Sequence, residues 1–157
     1  MRILVISDSH RNTRVIDKIL SSQPNAQYVF FLGDNIADIE DFIFLYPDKK
    51  FFSVSGNCDF AAMEPSVSIE KIDDIKILYT HGHTFDVKYT TARLLEAAKN
   101  SGCKIALYGH THISKIVYED GVYIVNPGSC SRARQGNNSY CVIDIEKNGI
   151  MPIIIEI

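Results

Sequence analysis

The sequence has no surplus of positive charge, no long apolar run and no paired cysteines, and each absence closes off a class of function. Its 157 residues carry 16 Lys and Arg against 19 Asp and Glu, a formal net charge of -3. No large basic surface follows, so stable, salt-sensitive binding to long nucleic acid is not expected. No apolar stretch approaches the roughly 18 residues that span a membrane. The run Ile3–Ile6 is cut short by Ser7-Asp8 with no cleavable segment behind it, so neither an anchor nor a secretory leader is expected. The four cysteines, Cys58, Cys103, Cys130 and Cys141, form no C-x-x-C pair. They read as free, buried structural thiols in a cytoplasmic protein. Repeats, low-complexity tracts and long linkers are also missing, so residues 1–157 read as a single domain with 46% apolar residues to build its core.

What is present is an alternation of short apolar runs and helical patterns, the signature of an α/β chain. Arg2–Ile6, Gln27–Leu32, Lys50–Val54, Ile75–Tyr79 and Lys104–Tyr108 predict strands, largely apolar as strands covered on both faces must be. Thr13–Ser21, Ile36–Leu45 and Tyr89–Lys99 carry apolar residues at helical spacing, the last with Gly102 placed as a C-terminal stop. In the last third, Lys115–Glu119 and Val122–Val125 flank an Asp120-Gly121 turn, and Tyr140–Glu146 and Ile150–Glu156 flank Lys147-Asn148-Gly149. Both patterns predict hairpins, and the whole predicts two packed sheets with helices outside.

The polar residues fall in one topological place. All five histidines follow predicted strands: His10 the first, His81 and His83 the fourth, His110 and His112 the fifth. Asp8, Asp34 and Asn57 follow the first, second and third. Residues beyond the carboxyl ends of strands gather at one edge of an open α/β sheet, where ligands bind. Taken singly, a histidine after a strand is more often a loop or hydrogen-bonded core residue, Asp34 an N-cap and Asn57 a turn residue. None of those readings explains the convergence of them all. Asp8-Ser9-His10 and His110-Thr111-His112 space their donors at i and i+2, which in extended backbone puts both on one side. Gly33, Gly56 and Gly109 precede Asp34, Asn57 and His110 and permit tight approach. Imidazoles with carboxyl and amide oxygens, and no thiolate cluster, suit Mn²⁺, Fe, Zn²⁺, Ni²⁺ or Co²⁺. Seven donors are too many for one tetrahedral ion and suit two.

Together, Asp8-Ser9-His10, Gly33-Asp34, Gly56-Asn57, His81-Gly82-His83 and Gly109-His110-Thr111-His112 resemble the calcineurin-like metallophosphoesterase superfamily, closest to its small prokaryotic phosphodiesterases. The resemblance runs from residue 3 to about residue 135. It implies an α/β fold, a four-layer α-β-β-α sandwich of two mixed sheets flanked by helices. It also implies two divalent metal ions, Mn²⁺ foremost. Asp8, His10 and His112 would hold one, Asn57, His81 and His110 the other, and Asp34 would bridge them. The expected activity is hydrolysis of small phosphate esters, diesters before monoesters, by a metal-bridged hydroxide, with Asp34 and Asn57 at the reacting centre. Many larger relatives have His after the Asn of the third motif, placed to protonate the leaving group; here Cys58 stands there, followed by Asp59. A thiol donates poorly, so a catalytic part passes to His83, to water or to good leaving groups, and Cys58 reads as a space-filler. Asn126-Pro127-Gly128-Ser129 resembles a turn near the family's site, with Arg132 and Arg134 behind it; arginine suits a phosphate oxygen, but a solvated loop arginine is the commoner case, and Arg132 alone is kept as a weak candidate.

Two other functions compete with that reading. The retromer subunit of the same fold is a scaffold with a degraded ligand set, whereas this chain keeps every expected ligand. A nuclease or nucleotide phosphatase would want added domains and a more favourable charge. Homo-oligomerisation is left open.

Overall fold

The apolar runs become strands because nothing in them is suited to solvent. In the computed structural model, which describes residues 1–157, Arg2–Ile6 (β1) is buried from Ile3 to Ile6. Alternate side chains leave a strand on opposite faces, so Ile3 and Val5 enter one apolar layer while Leu4 and Ile6 enter another. The chain continues through Thr13–Ser22 (α1), Tyr28–Phe31 (β2), Ala37–Leu45 (α2) and Lys50–Ser53 (β3). It then runs Val67–Ile72 (β4), Ile75–Thr80 (β5), a single 3-10 turn at His83–Phe85, Ala92–Asn100 (α3) and Ile105–Leu107 (β6). Lys115–Glu119 (β7), Val122–Asn126 (β8), Ser139–Glu146 (β9) and Gly149–Glu156 (β10) complete it.

Two five-stranded mixed sheets result, ordered β10-β9-β1-β2-β3 and β4-β5-β6-β8-β7. In the first, β1, β2 and β3 are parallel; in the second, β5, β6 and β8 are. The cluster between the sheets contains Ile3, Val5, Phe30, Leu32, Ile77, Ile105 and Leu107. A second cluster joins the first sheet to α1 and α2 through Ile16, Ile19, Leu20, Ile39 and Phe42, and a third joins the second sheet to α3 through Leu94, Leu95 and Ala98. Helix, sheet, sheet, helix is the layering the motifs implied. No helix is long and apolar enough to cross a membrane.

Strand β4 and helix α3 depart from expectation, and the other strands and helices begin and end within one residue of it. Strand β4 is absent from the sequence reading because Val67-Ser-Ile-Glu-Lys-Ile lies at a sheet edge, with Ile69 exposed and Glu70 and Lys71 among its residues. Such a segment carries no apolar run to betray it. Helix α3 begins at Ala92 rather than Tyr89, because Gly82 and Asp86 adopt left-handed backbone and the Tyr89 N–H is spent on the Asp86 carbonyl at 2.9 Å. Helix α2 begins at Ala37, with Ile36 as its cap residue.

Candidate metal centre

Loops after β1, β2, β3, β5 and β6 meet at the edge where the parallel strands of both sheets end. Asp8, His10, Asp34 and His112 each present a donor atom there, all within 4.8 Å of one another. His10 Nε2 lies 3.1 Å from His112 Nε2, and His112 Nε2 lies 3.2 Å from Asp8 Oδ1. A second group adjoins it: His81 Nε2 is 3.1 Å from His110 Nδ1, 3.4 Å from Asp34 Oδ1 and 4.0 Å from Asp8 Oδ1. Asn57 sits on the exposed rim, its amide nitrogen 3.5 Å from Cys58 Sγ. The His83 ring is 5.5 Å from that of His81 and 6.1 Å from that of His110, with Nδ1 buried and unpartnered.

Backbone geometry at these donors differs from the extended form that the i, i+2 spacing suggested. Asp8, His10, Asp34, His110 and His112 all have positive φ, between 46° and 67°. Aspartate and histidine tolerate the left-handed region better than most residues, though each such position costs on the order of 1–3 kcal/mol. The reversals let neighbouring donors serve different groups: His112 turns to Asp8 and His10, while His110 turns to His81. Close approach does the rest. A Cβ on Gly33 would lie 2.5 Å from the Gly56 nitrogen, and one on Gly56 would collide with Asp34 Oδ1. A Cβ on Gly109 would collide with Ser7 Oγ and sit 2.8 Å from Asp8 Oδ2.

The donor chemistry fits a cation. Asp8 Oδ2 accepts from Ser7 Oγ at 2.6 Å and from the His110 N–H at 3.1 Å, whereas Oδ1 is buried and has no hydrogen-bond partner. His81 Nδ1 faces the Leu32 carbonyl and His112 Nδ1 the Arg132 carbonyl, both at 2.7 Å. A carbonyl only accepts, so both Nδ1 atoms carry a proton and both rings turn Nε2 inward. Each of these inward nitrogens meets another ring nitrogen at 3.1 Å, and such a pair is satisfied either by an N–H on the facing ring or by a cation that both rings bind. Burial, followed by the neighbouring His81, pushes the His110 imidazole down to about 4. Burial also lowers His10 and His83. For Asp8, burial pulls the carboxyl upward, but His112, His81 and Ser7 outweigh it and hold it below the usual range. Asp8 in turn raises His112.

Several supporting residues gave no sequence signal. The Asp59 carboxylate accepts four backbone N–H groups: Asp34 and Gly56 on Oδ2, both at 2.8 Å, and Asn35 and Ile36 on Oδ1 at 2.8 and 2.9 Å. It thereby ties the Gly33-Asp34 loop, the Gly56-Asn57 loop and the start of α2 together. Asp38 Oδ2 holds the first motif through Ser9 Oγ at 2.6 Å and the Arg11 N–H at 2.7 Å. Buried Asn126 braces the fifth, donating to the Gly109 carbonyl at 2.9 Å and to Thr111 Oγ1 at 3.0 Å. Ser129 Oγ donates to the Asp8 carbonyl at 2.8 Å. Arg132 and Arg134 are exposed, and Arg132 meets the centre through its main-chain carbonyl.

Cysteine expectations hold for Cys103, Cys130 and Cys141, which are buried, and fail for Cys58. Cys58 is exposed and fills no core space. Its N–H donates to Asp34 Oδ1 at 3.0 Å and its thiol faces Asp34 Oδ2 at 3.4 Å. Partial burial, then the Asp34 and Asp59 charges, raise its pKa and keep it a thiol at neutral pH.

The calcineurin-like phosphoesterase superfamily domain matches residues 1–148. The chain belongs to that superfamily. Members use divalent metals, and the donor cluster of this chain is a candidate site for them. Among curated relatives, the probable metallophosphoesterase YsnB of Bacillus subtilis is 28% identical over 151 residues, 94% of this chain and 86% of that protein. Phosphodiesterase MJ0936 of Methanocaldococcus jannaschii is 28% identical over 181 residues, 99% of this chain and 100% of that protein. A predicted phosphoesterase of Streptococcus pneumoniae, known by crystal structure, superposes with a TM-score of 0.84 at 27% identity, covering 99% of this chain and 88% of that one. Vps29 of Entamoeba histolytica, crystallised with zinc, has a TM-score of 0.74 at 19% identity over 99% of each chain, a likeness of fold alone.

Proposed function

We propose that this phosphoesterase-family chain is a two-metal phosphodiesterase acting on small phosphate esters. The observation that carries the reading is the buried, unpartnered Asp8 Oδ1 among inward-facing imidazole nitrogens. Asp8, His10 and His112 would hold one ion, Asn57, His81 and His110 the other, and Asp34 both. Bound there, divalent ions activate water for attack on phosphorus and neutralise charge on the phosphoryl oxygens. The protein's own part is to fix the donors. The Leu32 and Arg132 carbonyls lock the tautomers of His81 and His112, while Asp59 and Asp38 hold the loops. With its neutral ring beside His81 and His110, His83 would contact substrate or orient a ligand rather than bind metal. Family membership and the phosphodiesterase name of the archaeal relative support the same chemistry.

Chelation should abolish hydrolysis, and Mn²⁺ should restore it better than Mg²⁺, because imidazole nitrogens suit transition metals. The check is a metal-free preparation assayed on a panel of esters while Mn²⁺, Ni²⁺, Zn²⁺ and Mg²⁺ are returned singly. Full activity after chelation, with metal content verified, would exclude the mechanism.

The Cys58 thiol makes a second prediction. Held protonated beside Asp34, it is a poor acid for a departing alkoxide, which needs a proton far more than a phenolate does. Aryl diesters should turn over well and simple alkyl esters slowly, and Cys58→Ala or Cys58→Ser should stay within about threefold of wild type. Cys58→His should raise turnover of alkyl esters by about tenfold or more, and of aryl diesters less. A large loss in Cys58→Ala on every substrate, at matched metal content, would give the thiol a direct role.

A further inference from the structure

We propose that the groove beside Cys58 binds an apolar, non-anionic ester substituent of the substrate. The inference rests on the phosphodiesterase reading and names the substrate class: diesters with one aryl or alkyl arm, neutral or cationic.

A cavity of about 590 Å³ opens between the start of α2 and residues 58–64. That volume suits a small organic group. Ile36, Ala37, Phe60, Ala61, Ala62 and Met63 form its apolar lining. It adjoins the candidate metal centre, because Cys58 and Asp59 line it and both bond to Asp34. Phe60 and Met63 are 96% and 98% exposed, more than any other large apolar side chain of the chain. Two such side chains beside a charged centre leave apolar surface in water that an apolar ligand arm would cover.

Charge sets the second half of the specificity. The acidic residues of the lining are Glu40, Asp59 and Glu64, and it contains no lysine or arginine. The Asp59 carboxylate is saturated by four N–H donors, which leaves Glu40 and Glu64 to repel an anionic arm. Substituents bearing further phosphates or a carboxylate are therefore disfavoured. The cavity that Thr111 lines, next to His110 and His112 in the chain, has Lys88 and Lys115 in its lining and no acidic residue, so the apolar, acidic character belongs to the groove beside Cys58.

The test is equilibrium binding by calorimetry to the Mn²⁺-loaded protein, using phosphinates, which carry the two arms and single negative charge of a diester and cannot be hydrolysed. Methyl(phenyl)phosphinate should bind about tenfold tighter than dimethylphosphinate, the range expected when a ring leaves water for a partly open apolar site. The double variant Phe60→Ser/Met63→Ser should lose that preference while keeping dimethylphosphinate affinity; both side chains stand in solvent, so the fold does not depend on them. A carboxylate on the ring should remove the preference in wild type, and Glu40→Gln/Glu64→Gln should return it. Equal affinity for the two phosphinates in wild type, or a preference that survives in the serine variant, overturns the groove assignment and leaves the hydrolytic reading standing. Binding of neither phosphinate overturns that reading and the groove with it.

Discussion

Asp34→Asn should lower turnover by about a thousandfold at saturating Mn²⁺, more than the loss of any terminal donor. The substitution keeps shape and removes one negative charge from the residue proposed to touch both ions. Asp34 also has fixed neighbours. Its Oδ1 accepts the Cys58 N–H at 3.0 Å and lies 3.4 Å from His81 Nε2, while Oδ2 faces the Cys58 thiol. An amide can present its oxygen to one of these sides only, so its NH₂ must point where an acceptor is needed. The comparison set is His10→Ala, expected to lose about ten- to a hundredfold, and His83→Ala, expected to keep both ions while losing turnover. Metal content by mass spectrometry, alongside steady-state kinetics, separates the cases. Activity of Asp34→Asn within tenfold of wild type with both ions bound would remove Asp34 from the reacting centre. A missing ion in His83→Ala would place that ring among the ligands.

Asp59→Ala should be the most damaging change among residues that are not proposed ligands. It strands four backbone N–H groups, those of Asp34, Asn35, Ile36 and Gly56, each now charge-assisted at 2.8 to 2.9 Å. Water replaces part of this bonding in a half-buried site, so the expected cost is about 2–4 kcal/mol rather than a fourfold sum. At this chain length that lowers Tm by on the order of 5–15 °C. Turnover should fall by about a hundredfold, because a shift near 1 Å in Asp34 spoils the geometry of the centre. Asp59→Asn should recover little, since its NH₂ would oppose two of the same donors. Thermal unfolding and kinetics on the metal-loaded protein measure both effects. An unchanged Tm with unchanged turnover would show that Asp34 is held by other means.

These two residues mark the division between what was legible and what was not. Asp34 stands out in the sequence because a glycine precedes it and an apolar run ends just before it. Asp59 is as necessary to the geometry, yet its partners lie 23 to 25 positions earlier in the chain, apart from Gly56. No periodicity or local spacing reports a pairing of that kind. Asp38 is similar: it sits in the first turn of α2, where an acid is expected for helix reasons alone, and it bonds Ser9 and Arg11. Cys58 shows the opposite error. A cysteine is usually a small buried residue, and only the packing around Asp34 reveals this one to be exposed at the centre.

The sequence by itself determined the strands that carry the donors, their arrival at one edge, and the need for glycine at positions 33, 56 and 109. The reason is that apolar runs such as Ile3–Ile6 and Phe30–Leu32 must be covered on both faces whatever covers them, and the residues after them are then delivered together. Tertiary structure alone decided the left-handed backbone of Asp8, His10, Asp34, His110 and His112, and that His112 faces Asp8 while His110 faces His81. It also decided the edge strand β4, the carboxylate clasp of Asp59 and the groove walled by Phe60 and Met63. Each of these depends on which distant segment supplies a hydrogen bond, a charge or an apolar wall. Such free energies belong to pairs of segments, and neither segment encodes them alone.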